Sequence, residues 1–345
     1  MNLLVTGGAG FIGSNLVRFL AGRAEVKRLV NLDCLTYAGH LESLAGMAEH
    51  SGYVFERTDL RDKTAVVEVV RRHQVTHVMH LAAESHVDRS ITGPADFIHT
   101  NIVGTFHLLE ACRDAWMREG SSAEGRRFLH VSTDEVYGSL GEEGCFSETT
   151  AYAPNSPYSA SKAASDMLVR SYHHTYGLPV LVTNGSNNYG PYQYPEKLIP
   201  VVIQSLLERR TVPVYGDGQN VRDWLFVGDH VQALWRVLNA GRVGETYNLG
   251  GRHEMTNLKL VEHLCDLVDE MKPELGGHSR EQIRFVEDRP GHDRRYAIDP
   301  TKVERELGWR RAHTFEDGIR ETVAWYLGHQ DWVKAVTRKS RDKEA

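Results

Sequence analysis

The sequence predicts an α/β protein with a Rossmann-like, doubly wound parallel sheet and a smaller α/β substrate-binding lobe. Short apolar runs alternate with helical patterns in the first half of the chain, and a glycine-rich turn follows the first apolar run. After about residue 187 this alternation becomes irregular, and Pro191, Pro195 and Pro200 interrupt it. Because continuous apolar runs separated by helices are typical of parallel strands covered on both faces, the first half is expected to form the sheet.

The elements of the first half follow one another in a regular order. Strands are predicted at residues 3–6, 27–33, 53–57, 77–82 and 127–132, and helices at 11–21, 63–73, 96–118 and 159–176. Amphipathic helices are predicted in the second half at 258–271 and 315–327. We therefore expect a sheet domain of residues 1–187, which about residues 222–249 rejoin, and a second domain of residues 188–345.

The composition argues against several classes of function. The 345 residues carry a formal net charge of −6, which gives no general attraction for nucleic acid or anionic lipid. The four cysteines are scattered without a C-x-x-C pair, and the histidines show no metal-ligand spacing, so no disulfide framework and no metal site are expected. The opening segment lacks a secretory signal pattern and no apolar run is long enough to span a bilayer, so we expect a cytoplasmic protein without a membrane partner.

A dinucleotide site is predicted at the first turn. Gly7, Gly10 and Gly13 stand between the first strand and the first helix, where glycines let the backbone approach a pyrophosphate at a helix N-terminus. Asp33 ends the second strand 20 residues after Gly13, and a carboxylate there favours NAD over NADP because it repels a 2′-phosphate. The alternative is a glycine turn that only packs a helix on a strand.

Two further strand ends are candidates for the same site. Asp59 follows the third strand and can receive an adenine amino group, although it can also cap the next helix, a role that Asp62 fills at least as well. Leu81, Ala82 and Ala83 end the fourth strand with small side chains that would let a cofactor lie close to the sheet. Simple core packing explains those three residues equally well.

Tyr158 and Lys162 are the first catalytic candidates. They stand four residues apart on a predicted helix that Pro157 opens, so both side chains lie on one face. An ammonium beside a phenol favours the phenolate, and the pKa of Tyr158 is therefore expected to fall. Tyr158 would then take a proton from a sugar hydroxyl. The alternative is a surface tyrosine and a solvated lysine.

Thr133, Asp134 and Glu135 follow the fifth strand, at the sheet edge where an open parallel sheet binds its ligands. Adjacent carboxylates on a regular strand point to opposite faces, so both can face one substrate only if the chain leaves the strand here. Paired carboxyls in one pocket titrate apart, which supplies an acid and a base for an elimination. The alternative is that Asp134 caps a helix and Glu135 is solvated.

These motifs together resemble a known family. The chain is similar to the extended short-chain dehydrogenase/reductases and, within them, to the dTDP-glucose 4,6-dehydratases. The resemblance covers residues 6–299 and rests on the segments TGGAGFIGS, NLDCLTYAGH, LAAESHVDRS, HVSTDEVYG, PYSASKAASD, NGSNNYGPYQYPEKLIP, VRDWLFVGDH, GETYNLGG and EDRPGHDRRYAID. It implies NAD as a recycled cofactor, a nucleoside-diphosphate sugar (dTDP-glucose) as substrate, and a homodimer formed through the helices at 96–118 and 159–176.

The resemblance also implies roles for the catalytic candidates. Tyr158 would remove the C4 hydroxyl proton while hydride passes from C4 to NAD, Lys162 would hold the nicotinamide ribose, and Thr133 would hydrogen-bond the C4 oxygen. The new ketone acidifies the C5 proton, which makes an otherwise difficult loss of water accessible to carboxylates. Glu135 would take that proton, and Asp134 would protonate the departing C6 hydroxyl. The product would be dTDP-4-keto-6-deoxyglucose, a precursor of deoxysugars.

The remaining predicted site residues form two sets. Those expected at the cofactor are Gly7, Gly10, Phe11, Ile12, Gly13, Asp33, Leu35, Thr36, Asp59, Leu60, Leu81, Ala82, Ala83, Ser85, Thr100, Tyr158, Lys162 and Asn188. Those expected at the substrate are Ser85, Thr133, Asn187, Lys197, Leu198, Pro213, Tyr215, Arg222, Asn257, Asp288, Arg289, His292 and Tyr296. Arg222 is a fixed cationic fork suited to a diphosphate, or alternatively the ion-pair partner of Asp223.

Two other functions remain open from the sequence. A UDP-hexose 4-epimerase on the same scaffold needs Tyr158 and Lys162 but no acid–base pair for water loss. A non-catalytic NAD-binding protein uses the fold for binding alone and needs none of these side chains. Asp134 and Glu135 are therefore the residues that distinguish the three hypotheses.

Overall fold

The computed structural model describes residues 1–118, 123–288 and 290–344, with side chains described as far as residue 338. A seven-stranded parallel sheet dominates the first half, in the order β10-β6-β5-β4-β1-β2-β3. The chain reverses its direction of winding between β1 and β4, which is the doubly wound arrangement. The strands of this sheet are β1 (Asn2–Thr6), β2 (Arg28–Asp33), β3 (Tyr53–Arg57), β4 (His77–His80), β5 (Arg127–Thr133), β6 (Val180–Gly185) and β10 (Thr246–Leu249).

Helices cover both faces of this sheet. One face packs on α1 (Phe11–Ala21) and α8 (Val227–Ala240), and the other on α2 (Lys63–Arg72), α5 (Thr105–Met117) and α6 (Pro157–Tyr176). Successive residues of a strand point to opposite faces, so Leu3 and Val5 join the first of these cores whereas Leu4 joins the second. The apolar runs of the sequence are continuous because each strand is buried on both sides, and the predicted fold class is confirmed.

The second half contributes two small sheets and its own core. A three-stranded sheet has the order β11-β9-β7, and β8 pairs with β12 in a two-stranded sheet. Its elements are β7 (Asn187–Tyr189), α7 (Leu198–Leu207), β8 (Val212–Tyr215), β9 (Val221–Phe226), β11 (Glu254–Thr256), α9 (Asn257–Met271), β12 (Ile283–Val286), α10 (Thr301–Leu307), α11 (Phe315–Gly328) and α12 (Gln330–Glu344). A separate apolar cluster unites α7, α9 and α11.

The segment 222–249 returns to the main sheet only in part. β10 pairs with β6 and α8 packs on the sheet, but β9 belongs to the three-stranded sheet instead. That part of the expectation is wrong because β9 pairs with β7 and β11, and five of its six residues are buried in that second sheet. The division into domains at residue 187 stays a prediction.

The predicted helix at 96–118 is interrupted. α3 (Val87–Thr92) and α4 (Pro94–Phe97) precede a π-helical segment at Ile98–Gly104, and the regular helix α5 begins only at Thr105. A π-helical turn inserts an extra residue and is common at functional sites. Among the described residues, no helix is both long and apolar enough to cross a membrane.

Candidate active site

A cavity of about 380 Å³ opens at the carboxyl ends of the main sheet. It contains sixteen of the eighteen predicted cofactor residues, all except Leu35 and Asn188, and the predicted substrate residue Lys197. The predicted residues that line it are Gly7, Gly10, Phe11, Ile12, Gly13, Asp33, Thr36, Asp59, Leu60, Leu81, Ala82, Ala83, Ser85, Thr100, Tyr158, Lys162 and Lys197. Residues from widely separated parts of the chain therefore meet at one edge of the sheet.

The glycine loop approaches its neighbours too closely for side chains. Gly7 has φ +72°, and a Cβ there would lie 2.7 Å from the backbone of Ala82. A Cβ at Gly13 would collide with the Gly7 carbonyl oxygen and lie 2.7 Å from the Cα of Gly8. No side chain caps the N-terminus of α1 at Gly10, so the loop presents backbone N–H groups to the cavity.

Asp33 is held rigidly at the end of β2. Its Oδ2 accepts a hydrogen bond from the Ala9 backbone N–H at 2.9 Å, and its Oδ1 accepts one from the Leu35 N–H at 2.8 Å. These two bonds tie the carboxylate to the glycine loop on one side and to the following turn on the other. Asp33 therefore lines the cavity in one fixed orientation, with a charge that opposes a phosphate group.

Asp59 is not the helix cap. Asp62 fills that role, because its side chain accepts a hydrogen bond from the Ala65 N–H at the start of α2. Asp59 instead lines the cavity and forms a two-pronged ion pair with Arg61, which lowers the pKa of its carboxyl. It therefore stays ionised at the cavity wall.

Tyr158 and Lys162 are buried on one face of α6 and both line the cavity. Ser156 and Ser159 close the N-terminus of this helix as a reciprocal capping box, with Pro157 in its first turn. The Lys162 Nζ donates to the Val131 carbonyl oxygen at 2.9 Å. The alternative of a surface tyrosine and a solvated lysine is thus wrong.

The expected lowering of the Tyr158 pKa is wrong. Burial raises the pKa of Tyr158 well above its usual value, and the charges of Glu135 and Asp134 raise it further, against a smaller lowering by a hydrogen bond with Thr133. Burial also lowers the pKa of Lys162 to about 8, partly offset by the charge of Asp166. Desolvation thus disfavours both charged forms and outweighs the attraction that four-residue spacing suggested.

The chain leaves the strand at Thr133, as a shared pocket for the two carboxylates requires. β5 ends there, and Asp134–Tyr137 forms a 3₁₀ turn that Thr133 caps by accepting a hydrogen bond from the Glu135 N–H at 3.3 Å. The Thr133 Oγ1 also donates to the Asp134 Oδ1 at 3.3 Å. Because Thr133 is the cap, the alternative in which Asp134 caps a helix is wrong.

Asp134 has the electrostatics of a carboxylic acid that keeps its proton. Its side chain is 1% exposed, and within the described residues its Oδ2 has no hydrogen-bond partner. Burial raises its pKa well above the usual value, the charges of Glu135 and Asp223 raise it further, and Arg222 lowers it. Glu135 is only partly buried, so the two neighbouring carboxyls occupy different environments.

Arg222 joins the second half of the chain to this group. It is buried on β9, donates to the Asp293 carbonyl oxygen at 2.9 Å, and lies 4.3 Å from the ring centre of Tyr296. The side chain of Asp223, the alternative partner, accepts hydrogen bonds from the Gly251 and His253 N–H groups. Burial raises the pKa of Tyr296, and the charge of Glu135 raises it further.

The other predicted substrate residues lie outside the cavity wall. They are Thr133, Asn187, Leu198, Pro213, Tyr215, Arg222, Asn257, Asp288, His292 and Tyr296, and Arg289 lies outside the described residues. The side-chain oxygens of Asn187 and Asn257 are buried and have no hydrogen-bond partner among the described residues. Their roles stay predictions.

Several lining residues were not predicted from the sequence. They are Leu32, Cys34, Ala38, Gly39, Thr58, Arg61, Glu84, Asp96, Val131, Ser132, Gln193, Tyr194 and Glu196. Glu84 directly precedes Ser85 in the chain, and Glu196 directly precedes Lys197. Burial raises the pKa of Glu84. The tract QYPEK, which places a charged pair next to aromatic residues, is the one signal that could have drawn attention to Gln193, Tyr194 and Glu196.

Comparison with known proteins shows the family to which the chain belongs. The model of the GDP-mannose 4,6-dehydratase family matches residues 4–322, and the chain belongs to this family. Within it the chain belongs with the dTDP-glucose 4,6-dehydratases. That of Xanthomonas campestris pv. campestris (strain B100) is 59% identical over 335 residues, covering 96% of this chain and 95% of the relative. Dehydratase 1 of Escherichia coli (strain K12) is 56% identical, covering 97% and 95%.

Solved structures give the same result. The dTDP-glucose 4,6-dehydratase of Streptomyces venezuelae, solved with NAD, has a TM-score of 0.89 at 45% identity, covering 97% of this chain and 100% of that one. A Thermus thermophilus UDP-glucose 4-epimerase, also solved with NAD, has a TM-score of 0.83 at 32% identity, covering 95% and 100%. The fold is thus common to both activities, whereas sequence similarity favours the dehydratases.

Proposed function

We propose that the chain converts dTDP-glucose to dTDP-4-keto-6-deoxyglucose and water, with NAD as a recycled cofactor. The observation that carries this proposal is the 3₁₀ turn at Asp134–Tyr137, which follows β5 directly and brings two carboxyls to the electrostatic neighbourhood of Tyr158. The high identity to dTDP-glucose 4,6-dehydratases supports it. A site for hydride transfer alone has no need of this second acid–base pair.

The residues present fit NAD. The glycine loop excludes side chains where a pyrophosphate must approach, and Asp33 is fixed where a ribose hydroxyl pair is recognised. Related structures are solved with NAD bound. When bound, NAD accepts hydride from C4 of the hexose and returns it to C6.

Tyr158, Thr133 and Lys162 serve the oxidation at C4. Tyr158 receives the proton of the C4 hydroxyl, and Thr133, which hydrogen-bonds Tyr158, orients the same oxygen. A phenol with a raised pKa is a strong base once it is deprotonated, but only a small fraction is ionised at neutral pH. Lys162 holds positive charge beside this reaction below a pH of about 8 and orients a ribose hydroxyl.

Glu135 and Asp134 serve the elimination. The C4 ketone acidifies the C5 proton, and Glu135, the more exposed carboxylate, removes it. Asp134, whose buried carboxyl keeps its proton, donates that proton to the C6 hydroxyl as the C–O bond breaks and water leaves. Glu135 then returns its proton to C5, and the proton that Tyr158 received from the C4 hydroxyl is released while Asp134 takes up one in its place, so both carboxyls recover their opposite initial protonation.

The second half of the chain is proposed to bind the rest of the substrate. Arg222 contributes a buried guanidinium for the diphosphate, close enough to Asp134 to affect its pKa. Asn187 and Asn257 present buried side-chain oxygens that are open to a ligand within the described residues. Lys197 lines the cavity and donates to the Ser85 carbonyl oxygen at 3.3 Å.

A single assay tests the proposed function. Purified protein is supplied with dTDP-glucose and no added reductant, and the product is followed by the alkali-dependent absorbance of a 4-keto sugar. The proposal predicts accumulation of the 4-keto-6-deoxy sugar. Formation of the galactose epimer alone would establish an epimerase, and NAD binding without any turnover would establish a non-catalytic binding protein.

A homodimer and a cytoplasmic location are proposed alongside. Large apolar side chains are exposed on the segments expected to pair, among them Phe106 of α5 and Met167 of α6, which is 57% exposed. All four cysteines carry free thiols, which fits a reducing compartment. A Met167→Glu variant should lower the molar mass measured by light scattering, and an unchanged mass would place the interface elsewhere. Among the described residues, no group of three or more potential metal ligands was found. The absence of a metal site stays a prediction.

A further inference from the structure

A buried polar network adjoins the 3₁₀ turn at Asp134–Tyr137 and is centred on Asp166. Asp166 stands one helical turn after Lys162 on α6 and is 3% exposed. Its Oδ2 accepts hydrogen bonds from the Ser132 Oγ at 2.9 Å, the Tyr152 hydroxyl at 3.0 Å and the Asn184 Nδ2 at 3.3 Å. Three partners from three segments of the chain thus converge on one buried carboxylate oxygen.

Asn184 links this carboxylate to the turn. It lies on β6 with no exposed surface, and its Nδ2 also donates to the Thr133 carbonyl oxygen at 3.1 Å. That carbonyl belongs to the residue at which β5 ends and the 3₁₀ turn begins. At the far end of the same turn, the Tyr137 hydroxyl lies 3.4 Å from the Asn184 Oδ1 and donates to the Asn248 Oδ1 at 2.9 Å.

We propose that Asp166 and Asn184 are positioning residues for the elimination, because together they fix the point at which the chain leaves β5. This inference rests on the proposed function. Two neighbouring carboxyls face one substrate only while the chain departs from strand geometry at Thr133, and Asn184 bonds the carbonyl at that corner. The hydrogen bond from Ser132 to Asp166 fixes the residue that precedes Thr133 in the same way. The hydrogen bonds of Asp166 and Asn184 end on other residues of the chain, so we assign both an indirect role that acts through the turn.

Asp166 also supplies the negative charge nearest to Lys162 along α6. Its charge raises the pKa of Lys162 against the lowering by burial. The other titratable groups that Asp166 reaches are His130, whose Nε2 lies 3.2 Å from the Asp166 Oδ1, and the phenols of Tyr137, Tyr152 and Tyr158. Burial lowers the pKa of His130 to about 4 and also lowers the pKa of His80 beside it, so neither ring adds positive charge next to Lys162 at neutral pH.

The experiment compares two buried carboxylates. Asp166→Asn removes the charge at the network, and Asp229→Asn removes it at an equally buried aspartate that accepts hydrogen bonds from the Ala312 and His313 N–H groups instead. Both variants should lose stability, because each removes a buried carboxylate that accepts hydrogen bonds. We expect Asp166→Asn alone to lower kcat for the 4-keto sugar, by about tenfold to 100-fold, with KM for dTDP-glucose and the retained NAD little changed.

The pH profile separates the two contributions of Asp166. Without its charge the pKa of Lys162 should fall further, so the descending limb of kcat should move to lower pH by roughly one unit. Asn184→Leu, which removes the bond to Thr133 and leaves the Asp166 side chain in place, should lower kcat without moving that limb. It should also speed hydrogen exchange of the backbone amides at 134–137, a readout that is independent of activity.

The outcomes are distinct. Wild-type protein without turnover of dTDP-glucose would refute the proposed function, whatever the variants do. Active wild-type protein together with unchanged kcat in folded Asp166→Asn and Asn184→Leu would overturn the positioning role. Equal losses of kcat in Asp166→Asn and Asp229→Asn would also overturn it, because they would trace the effect to general destabilisation.

Discussion

The cofactor half and the acid–base half of the site are built from different materials. At the ends of β1, β2 and β4 the wall consists of backbone, glycine and alanine, with Asp33 fixed by two backbone hydrogen bonds. At the end of β5 the site consists of buried ionisable side chains whose pKa values are moved by burial and by one another. The cofactor half of the site depends on shape, because the backbone must approach the ligand closely. The acid–base half depends on which groups hold protons.

The largest effect is expected from the acid–base half. Tyr158→Phe keeps the ring and removes the hydroxyl that receives the C4 proton, so kcat should fall by at least about 100-fold. Tyr172→Phe is the matched control, because it removes a hydroxyl from the same helix that donates to Glu110 at 2.7 Å. Steady-state turnover of dTDP-glucose measures both. Wild-type kcat in Tyr158→Phe would show that this half does not depend on the phenol.

The cofactor half should respond to volume rather than to charge. Gly13→Ala places a methyl group against the Gly7 carbonyl oxygen, and an overpacking cost of about 2 kcal/mol corresponds to roughly 30-fold weaker NAD binding. Gly22→Ala follows the same helix, where an added Cβ meets nothing within 4 Å. NAD titration of the two variants tests the contrast. Equal affinities would mean that close approach of the loop is not what binds NAD.

The pH dependence should come from the acid–base half alone. Lys162 has a pKa of about 8, so its charge is present below that pH and is lost above it. Asp134 has a raised pKa and also loses its proton as the pH rises. Turnover should therefore decline above about pH 8, by up to tenfold per unit, because the loss of both groups outweighs the gain in ionised Tyr158, while NAD affinity changes less. Parallel declines of turnover and affinity would contradict the separation of the two halves.

The smallest effect concerns stability. Asp134 is protonated in the folded protein and ionised in the unfolded chain at neutral pH, so its stabilising contribution is lost as the pH rises from the usual aspartate pKa through the raised one. Asp134→Asn has no such loss. Its thermal midpoint should exceed that of the wild type by an amount that grows between about pH 5 and about pH 8. A midpoint difference that shrinks with pH would show that Asp134 is ionised when folded.

The same contrast explains what the sequence could predict. The cofactor half follows from local rules, since the glycine spacing, the strand that precedes it and Asp33 all stand within one βαβ unit. All of the residues predicted at the cofactor except Leu35 and Asn188 line the cavity, and their contacts with the cofactor stay predictions. Of the catalytic candidates, Tyr158 and Lys162 line the same cavity. Thr133, Asp134 and Glu135 lie at the end of β5 without lining it, although the charges of the two carboxyls reach Tyr158.

What failed depends on packing that no local pattern encodes. The pKa of Tyr158 moves opposite to expectation because burial and the carboxylates at 134 and 135 raise it by more than the hydrogen bond with Thr133 lowers it. β9 lies outside the main sheet because it pairs with β7 before it and β11 after it. The paired residues are more than thirty positions apart in the sequence, so no local pattern reveals the pairing. Glu196 and Tyr194 reach the cavity from the second half by a fold-level contact that sequence spacing does not reveal.

The most direct test of the account is a rapid-quench experiment on Glu135→Gln with dTDP-glucose. If Glu135 removes the C5 proton, the variant oxidises C4 and then stops, so NADH absorbance should rise within one turnover and persist while the 4-keto-6-deoxy product fails to form. Wild-type protein should form product with little NADH at any time. Normal product formation by Glu135→Gln, or the absence of any NADH, would contradict the division of labour between the two halves of the site.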